Sequence, residues 1–101
     1  HSTLVTSTPK SGAVIKTFPK TFSLTFNEEI LKLPGKEPSR VQLIAPNRMR
    51  ISLGKVAIVR QVLTVPMNKA SVKAGKYRLT YRVVSKDGHV IKGAISFTYK
   101  P

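Results

Sequence analysis

Apolar and polar residues alternate with a period of two along most of this chain. The clearest stretches are residues 21–26, 76–83 and 95–99, in which every second side chain is large and apolar. Such a pattern is typical of β-strands that bury one face and expose the other. Shorter runs rich in β-branched residues are found at 41–44, 56–59 and 62–65.

Proline and glycine residues separate these runs at turn-like intervals. No window has a sustained helical stripe, and residues 28–33 are expected to form at most one helical turn. Irregular structure is expected at 31–39 and 45–50, where Pro, Gly and charge accumulate. Many short strands at this spacing predict an all-β fold, namely a Greek-key antiparallel β-sandwich or small barrel. At 101 residues, with no repeat or linker, the chain is predicted to be one domain spanning residues 1–101.

The composition adds a large positive charge, because 18 Lys and Arg residues face only 4 Asp and Glu, giving +14. A charge of this size favours anionic surfaces such as phospholipid headgroups, cell-wall polymers or nucleic acid. The basic residues are spread evenly, without a basic arm or an aromatic-basic RNA-binding motif, so no specific nucleic-acid site is predicted. There is no apolar run of membrane-spanning length and no cysteine, so a metal would need nitrogen, oxygen or thioether ligands.

Two histidines are the residues most suited to metal chemistry. His1 begins the chain, so its α-amine and its imidazole Nδ1 can close a chelate ring on one ion. Asp87 and His89 are two residues apart, and on an extended segment their side chains would project to the same side. An amine, two imidazoles and a carboxylate form a tetragonal nitrogen and oxygen set, which suits Cu(II) better than zinc or magnesium.

Each of these residues also has a plainer interpretation. His1 can be a frayed terminus or a residue left by cloning. Asp87-Gly88 between strands is a common hairpin turn, and His89 alone can be an ordinary surface histidine. The metal hypothesis rests on their convergence, with His1 arriving on an N-terminal strand packed beside this hairpin.

Two groups of residues form a recognisable pattern. The more diagnostic group is the C-terminal one, Gly75-Lys76-Tyr77, then Tyr81 through His89, then Gly93 and Phe97. The N-terminal group is His1, Leu4, Ser7, Pro9, Gly12, Pro19, Leu24, Phe26 and Glu28. Through these residues the chain resembles the CopC family of periplasmic copper-binding proteins over nearly its whole length.

The resemblance implies a cupredoxin-like (immunoglobulin-like) β-fold that binds one Cu(II) per chain. It places the metal-ligand roles on His1 (amine and imidazole), Asp87 and His89. Glu28 matches an acidic family position near the copper, and is a candidate to hydrogen-bond a ligand. The alternative is a solvated charge at the end of the strand, which is also the expectation for the adjacent Glu29. The expected function is that of a monomeric, non-enzymatic copper carrier or scavenger in copper homeostasis or resistance, with a CopD-type membrane transporter as partner. The start at His1 is consistent with a cleaved signal peptide and hence with a periplasmic or other extracytoplasmic location.

The chain departs from those family members that have a second, methionine-rich Cu(I) site. Its only methionines are Met49 and Met67, with no histidine near either in sequence. A lone thioether is more often packing material. We therefore predict a single Cu(II) site and no Cu(I) site.

Two other functions are compatible with the same residues. A histidine brace of the monooxygenase type would also use His1 and His89, although an anionic Asp87 would hinder reduction of the copper. An anionic-surface binding module would use the +14 charge alone, with both histidines incidental.

Overall fold

A computed structural model describes residues 3–33, 38–68 and 71–101 of the chain. The described residues form nine strands: β1 (Leu4–Thr8), β2 (Val14–Ile15), β3 (Thr21–Phe26), β4 (Arg40–Ile44), β5 (Arg50–Ile51), β6 (Ala57–Val59), β7 (Val62–Pro66), β8 (Gly75–Val84) and β9 (Val90–Tyr99). In this part of the chain there is no helix with the length and apolarity needed to cross a membrane.

The strands form two sheets. One has four strands in the order β1-β3-β7-β6, and the other has five in the order β2-β9-β8-β4-β5. The long hairpin of β8 and β9 pairs residue by residue from Gly75–Tyr99 to Val84–Val90. The predicted all-β sandwich is confirmed, and its two sheets face each other across a common apolar core.

The core consists of the alternating side chains that the sequence pattern places inward. Phe22, Leu24 and Phe26 of β3 oppose Tyr77, Leu79 and Val83 of β8 in one buried cluster. Rings concentrate at the end of the sandwich where β8 begins. There Phe18 packs edge-to-face on Tyr77 at 4.9 Å between centroids, and Tyr77 stacks on Phe97 at 5.6 Å.

Gly93 allows a close contact inside the five-stranded sheet. Tyr81 lies opposite Gly93 in the β8–β9 register, and a Cβ at Gly93 would come within 2.4 Å of the Tyr81 hydroxyl. The Tyr81 ring therefore occupies the space that a side chain would need, and it packs edge-to-face on Phe26 at 5.6 Å. This burial raises the pKa of the Tyr81 phenol.

One detail of the strand prediction is wrong. The sandwich is not wholly antiparallel, since β2 runs parallel to β9. β2 reaches that edge from β1 of the other sheet rather than through a hairpin, so its direction is not set by a turn. Residues 28–33, expected to form at most one helical turn, form none: Ile30 makes a β-bridge with Ser85, and the Leu31 amide donates to the Val84 carbonyl. Hydrogen bonds to the β8–β9 hairpin thus replace local helical ones.

Candidate metal centre

Asp87 and His89 lie in the tight turn that joins β8 to β9. The Gly88 amide donates to the Ser85 carbonyl at 2.9 Å, and the Ser85 amide donates to the His89 carbonyl at 2.8 Å. Gly88 has φ +92°, a conformation that residues with a Cβ rarely adopt. The loop is a three-residue hairpin connection closed by a left-handed glycine, which explains why Asp-Gly stands here.

The structure brings Asp87 and His89 together, as predicted, but by a different route. The Nδ1 atom of His89 is 2.9 Å from Oδ2 of Asp87. The curvature of the turn produces this contact, rather than the shared face of an extended strand. Both side chains are exposed, with 52% of Asp87 and 79% of His89 open to solvent, so an ion can reach them directly.

Ser85 fixes the orientation of the carboxylate. Its buried hydroxyl donates to Oδ1 of Asp87, and the His89 amide donates to the same oxygen at 3.2 Å. With Oδ1 held by two donors, Oδ2 is directed towards the imidazole. No separate pattern in the sequence indicates this role for Ser85, although it stands only two positions before Asp87.

The same contacts keep Asp87 ionised. The Ser85 hydroxyl, then the side chain and amide of His89, lower the pKa of Asp87 to about 2. The carboxylate is therefore an anion over the whole physiological pH range. A cation bound there meets no competing proton on this ligand.

The connection after β3 links the N-terminal strand to this turn. The Thr3 amide donates to Oδ1 of Asn27 at 2.7 Å, and the Asn27 amide donates back to the Thr3 carbonyl at 3.0 Å. Two residues after Asn27, the carbonyl of Glu29 accepts a hydrogen bond from the Lys86 amide of the turn at 2.9 Å. The chain therefore enters the sandwich at the end that carries the β8–β9 turn.

The expected position of the N-terminal strand needs correction. β1 pairs with β3 in the four-stranded sheet and is not hydrogen-bonded to a strand of the β8–β9 hairpin. The segment 27–31 spans the gap between the two. His1, the third predicted ligand, lies outside the described residues. Two residues in an extended conformation span about 7 Å at most, and this sets how far His1 can lie from Thr3.

The two glutamates of this segment have different roles. Glu29, expected to be a solvated charge, pairs with Lys86 at 3.3 Å and with Arg60 at 3.6 Å. These two ion pairs link the turn that carries Asp87 and His89, here called the metal-site turn, to the β6–β7 turn. Glu28 is half-buried and lies in the same segment, which is hydrogen-bonded both to Thr3 and to the turn that carries Asp87.

Within residues 3–33, 38–68 and 71–101, no three His, Asp or Glu side chains form a group able to hold a metal ion. The described part of the site supplies two donors, Asp87 and His89. A complete site of the predicted kind needs the donors of His1.

Comparison with known proteins identifies the family. A family model for the CopC domain matches residues 4–100 of the chain. The chain belongs to the CopC family.

Relatives of this CopC domain cover nearly its whole length. Copper resistance protein C of Xanthomonas campestris pv. juglandis is 33% identical over 105 residues, which cover 99% of this chain and 80% of that protein. CopC from Methylosinus trichosporium OB3b has a TM-score of 0.81 at 25% identity, covering 100% of this chain and 95% of that one. PcoC from Escherichia coli, described as a methionine-rich copper resistance protein, has a TM-score of 0.79 at 25% identity, with 99% of both chains covered. These likenesses confirm the predicted cupredoxin-like sandwich.

The two methionines of this CopC domain differ in environment. Met67 packs against the core and forms a β-bridge with Leu53. Met49 is 65% exposed in the turn between β4 and β5, so it is not packing material as expected. Its amide donates to Oδ1 of Asn47, which holds the turn. One thioether is thus buried in the fold and the other stands at the surface.

Replacing Ser85 with alanine is expected to raise the pKa of Asp87 and weaken metal binding. Loss of an outer hydrogen-bond partner typically costs about 10–100-fold in metal affinity. Because the pKa of Asp87 lies below its ordinary value of about 3.9, the turn is stabilised by the ionised carboxylate above that pH. This contribution is lost as the pH falls through about 2. An NMR titration of Asp87, with Cu(II) affinity measured in parallel, checks both effects.

Ser39→Ala is the matched control, because Ser39 is also a buried serine bonded to this hairpin. Its hydroxyl accepts the Val84 amide at 3.1 Å. It should cost stability without moving the pKa of Asp87. An equal change in pKa in both variants would show that Ser85 acts only through packing.

Proposed function

We propose that this chain is an extracytoplasmic Cu(II) carrier that holds one ion through His1, Asp87 and His89. The α-amine and imidazole of His1 would complete the set begun by the other two residues. The observation that carries the proposal is the 2.9 Å approach of His89 Nδ1 to Asp87 Oδ2 in an exposed turn. Its support is membership of the CopC family together with relatives named for copper resistance.

The separation of these two atoms suits a shared metal ion. Nitrogen and oxygen ligands stand about 2.0 Å from a divalent ion such as zinc. Two such ligands at a right angle are then about 2.8 Å apart by that bond length. The anchored carboxylate therefore needs little rearrangement to bind alongside the imidazole. An anionic oxygen with nitrogen donors favours the oxidised ion.

We further propose that this is the chain's sole copper site and that Cu(I) is not bound. A soft Cu(I) ion requires several thioether ligands. Met67 is engaged with the core, so Met49 alone is exposed among the two methionines. The chain would then carry oxidised copper without exchanging it between two internal sites.

The proposed role is delivery or sequestration, without catalysis. The ligand turn stands at one end of the sandwich with its side chains in solvent, which allows direct transfer to a CopD-type membrane transporter. Glu28 is proposed to orient a histidine ligand, because it lies on the segment between Thr3 and the turn. The site depends on His1 being the free N-terminus of the mature chain, which mass spectrometry of the native protein can verify.

Titration with Cu(II) followed by EPR tests the proposal. At neutral pH we expect one equivalent bound tighter than micromolar, with a tetragonal signal of nitrogen and oxygen ligands. Affinity should fall steadily in acid, because protons compete with the ion for the α-amine and imidazole ligands. Asp87 should not add to this loss until the pH approaches about 2, because its carboxylate is ionised above that pH. Micromolar or weaker binding would contradict the proposal.

A further inference from the structure

The charged residues of this protein are distributed unequally between its two sheets. The strands of the four-stranded sheet, as the structure describes them, contain no charged residue. The strands of the five-stranded sheet contain six basic and no acidic residues. These six are Arg40, Arg50, Lys76, Arg78, Arg82 and Lys92.

All six basic side chains lie on the outer face of the five-stranded sheet. Along β8, the inward residues Tyr77, Leu79 and Val83 are buried. The residues that alternate with them, Lys76, Arg78 and Arg82, are exposed. Arg40, Arg50 and Lys92 are likewise exposed, and the register places them on the same side. We call these six residues the cationic face.

Like charges stand directly opposite one another on this face. Arg82 pairs with Arg40 on one side and with Lys92 on the other, forming a row of three cations across β4, β8 and β9. Neighbouring residues in such a row are about 4.5–5.5 Å apart, and like charges so placed destabilise a sheet. The ion pairs seen among the described residues join Glu29 to Lys86 and Arg60, and Asp87 to His89. None of them neutralises this row.

We propose that the cationic face binds the surface of an anionic phospholipid membrane. Headgroup phosphates would supply the counter-charges that the sheet lacks. The basic side chains are spread in two dimensions over four strands, which matches a surface of phosphates better than the line of a nucleic-acid backbone. This association does not require copper, and so goes beyond the proposed carrier function.

The rest of the face favours lipid headgroups over other polyanions. The aromatic residues of β8 and β9 alternate with the cations and point into the sandwich, so they cannot stack on bases. The outward residues between the cations are mostly small or polar, such as Gln42, Thr80 and Ser96. The exposed apolar residues of this face are Val14 on the edge strand β2 and Val90 at the hairpin end. The face therefore lacks the central large or aromatic anchors that give protein interfaces most of their energy. The metal-site turn is at the end of the sheet, so this orientation leaves it accessible.

Binding to lipid vesicles tests the proposal. The protein should co-sediment with vesicles of phosphatidylcholine that contain phosphatidylglycerol, and it should not co-sediment with vesicles of phosphatidylcholine alone. Raising salt from about 0.1 M to 1 M shortens the screening length from about 10 Å to 3 Å and should release it. Binding that is indifferent to salt or to the anionic lipid would overturn the proposal.

Two triple variants of equal net charge distinguish a specific role of the cationic face from a general effect of net charge. Arg40→Gln, Arg82→Gln and Lys92→Gln together remove the row of three cations. The control changes Lys10→Gln, Lys20→Gln and Lys55→Gln, in connections that flank strands of the four-stranded sheet. Each basic residue at an anionic membrane contributes about five-fold to binding, so the face variant should bind about 100-fold more weakly than wild type. The control should lose much less.

The remaining outcomes are also decisive. Equal losses in both triple variants would show a general charge effect and refute the assignment to this face. Tighter binding of a DNA duplex than of anionic vesicles, at equal phosphate concentration, would assign the face to nucleic acid instead. Thermal unfolding checks that each variant folds. The His89→Ala variant should bind vesicles as wild type does, so this test stands or fails independently of the copper proposal.

Discussion

Replacing His89 with alanine is expected to reduce Cu(II) affinity by more than about 100-fold, the upper end of the loss caused by removing an outer-shell partner. The substitution removes an imidazole ligand and also frees Oδ2 of Asp87 from its 2.9 Å contact. In the metal-free protein it should raise the pKa of Asp87, because it removes the hydrogen bond from the His89 side chain, while the amide of residue 89 still donates to Oδ1. A competition titration with EPR measures the first effect, and NMR measures the second.

Two further variants of this chain test whether the loss of Cu(II) affinity is specific to the metal ligands. A chain with one additional residue before His1 should lose a comparable share of affinity, because the α-amine is displaced from the chelate. Lys86→Ala is the matched control, since Lys86 is exposed in the same turn but its ammonium group cannot bind a cation. If His89→Ala kept a one-to-one site within tenfold of wild-type affinity, His89 would not be a ligand.

The sequence predicts the main strands well, because their side chains alternate strictly. The pattern at residues 21–26 coincides with β3, and that at 76–83 lies within β8 (Gly75–Val84). The prediction for β9 begins five residues late, at Ile95. Its first half carries Lys92 and Gly93, and the glycine's missing side chain is replaced by the Tyr81 ring from the neighbouring strand. The filling of this space by a ring from another strand depends on tertiary structure, so no local sequence pattern predicts it.

The candidate site was predictable as residue types but not as geometry. The sequence places Asp87 and His89 next to a turn-forming glycine, and the structure brings their side chains into contact. The contribution of Glu29 depends on the hairpin folding back on the segment after β3, whereas the bond from Ser85 to Asp87 is local to the turn. Glu29 is separated from Lys86 by 57 residues, so its role could not be derived from local sequence.

Replacing Phe97 with alanine is expected to lower the free energy of unfolding by about 3–5 kcal/mol, as for other large buried aromatic residues. Phe97 is 1% exposed and contacts three other rings, those of Tyr77, Phe18 and Phe22. For a chain of this size, the loss corresponds to a Tm decrease of at least about 12 °C. Val59→Ala, which truncates an apolar residue that is 70% exposed, should change stability by less than about 0.5 kcal/mol. Denaturant and thermal unfolding measure both variants.

The same variant separates the stability of the fold from copper binding. Phe97 pairs with Tyr77, which is seven residues from the end of β8, a distance of about 23 Å at the usual rise of a strand. Changes so far apart normally add without coupling. Folded Phe97→Ala should therefore bind Cu(II) with wild-type affinity, and saturating copper should raise the stability of both proteins by the same free energy. A copper-dependent gain that differs between them would mean that the ring cluster and the metal-site turn are coupled through β8 and β9.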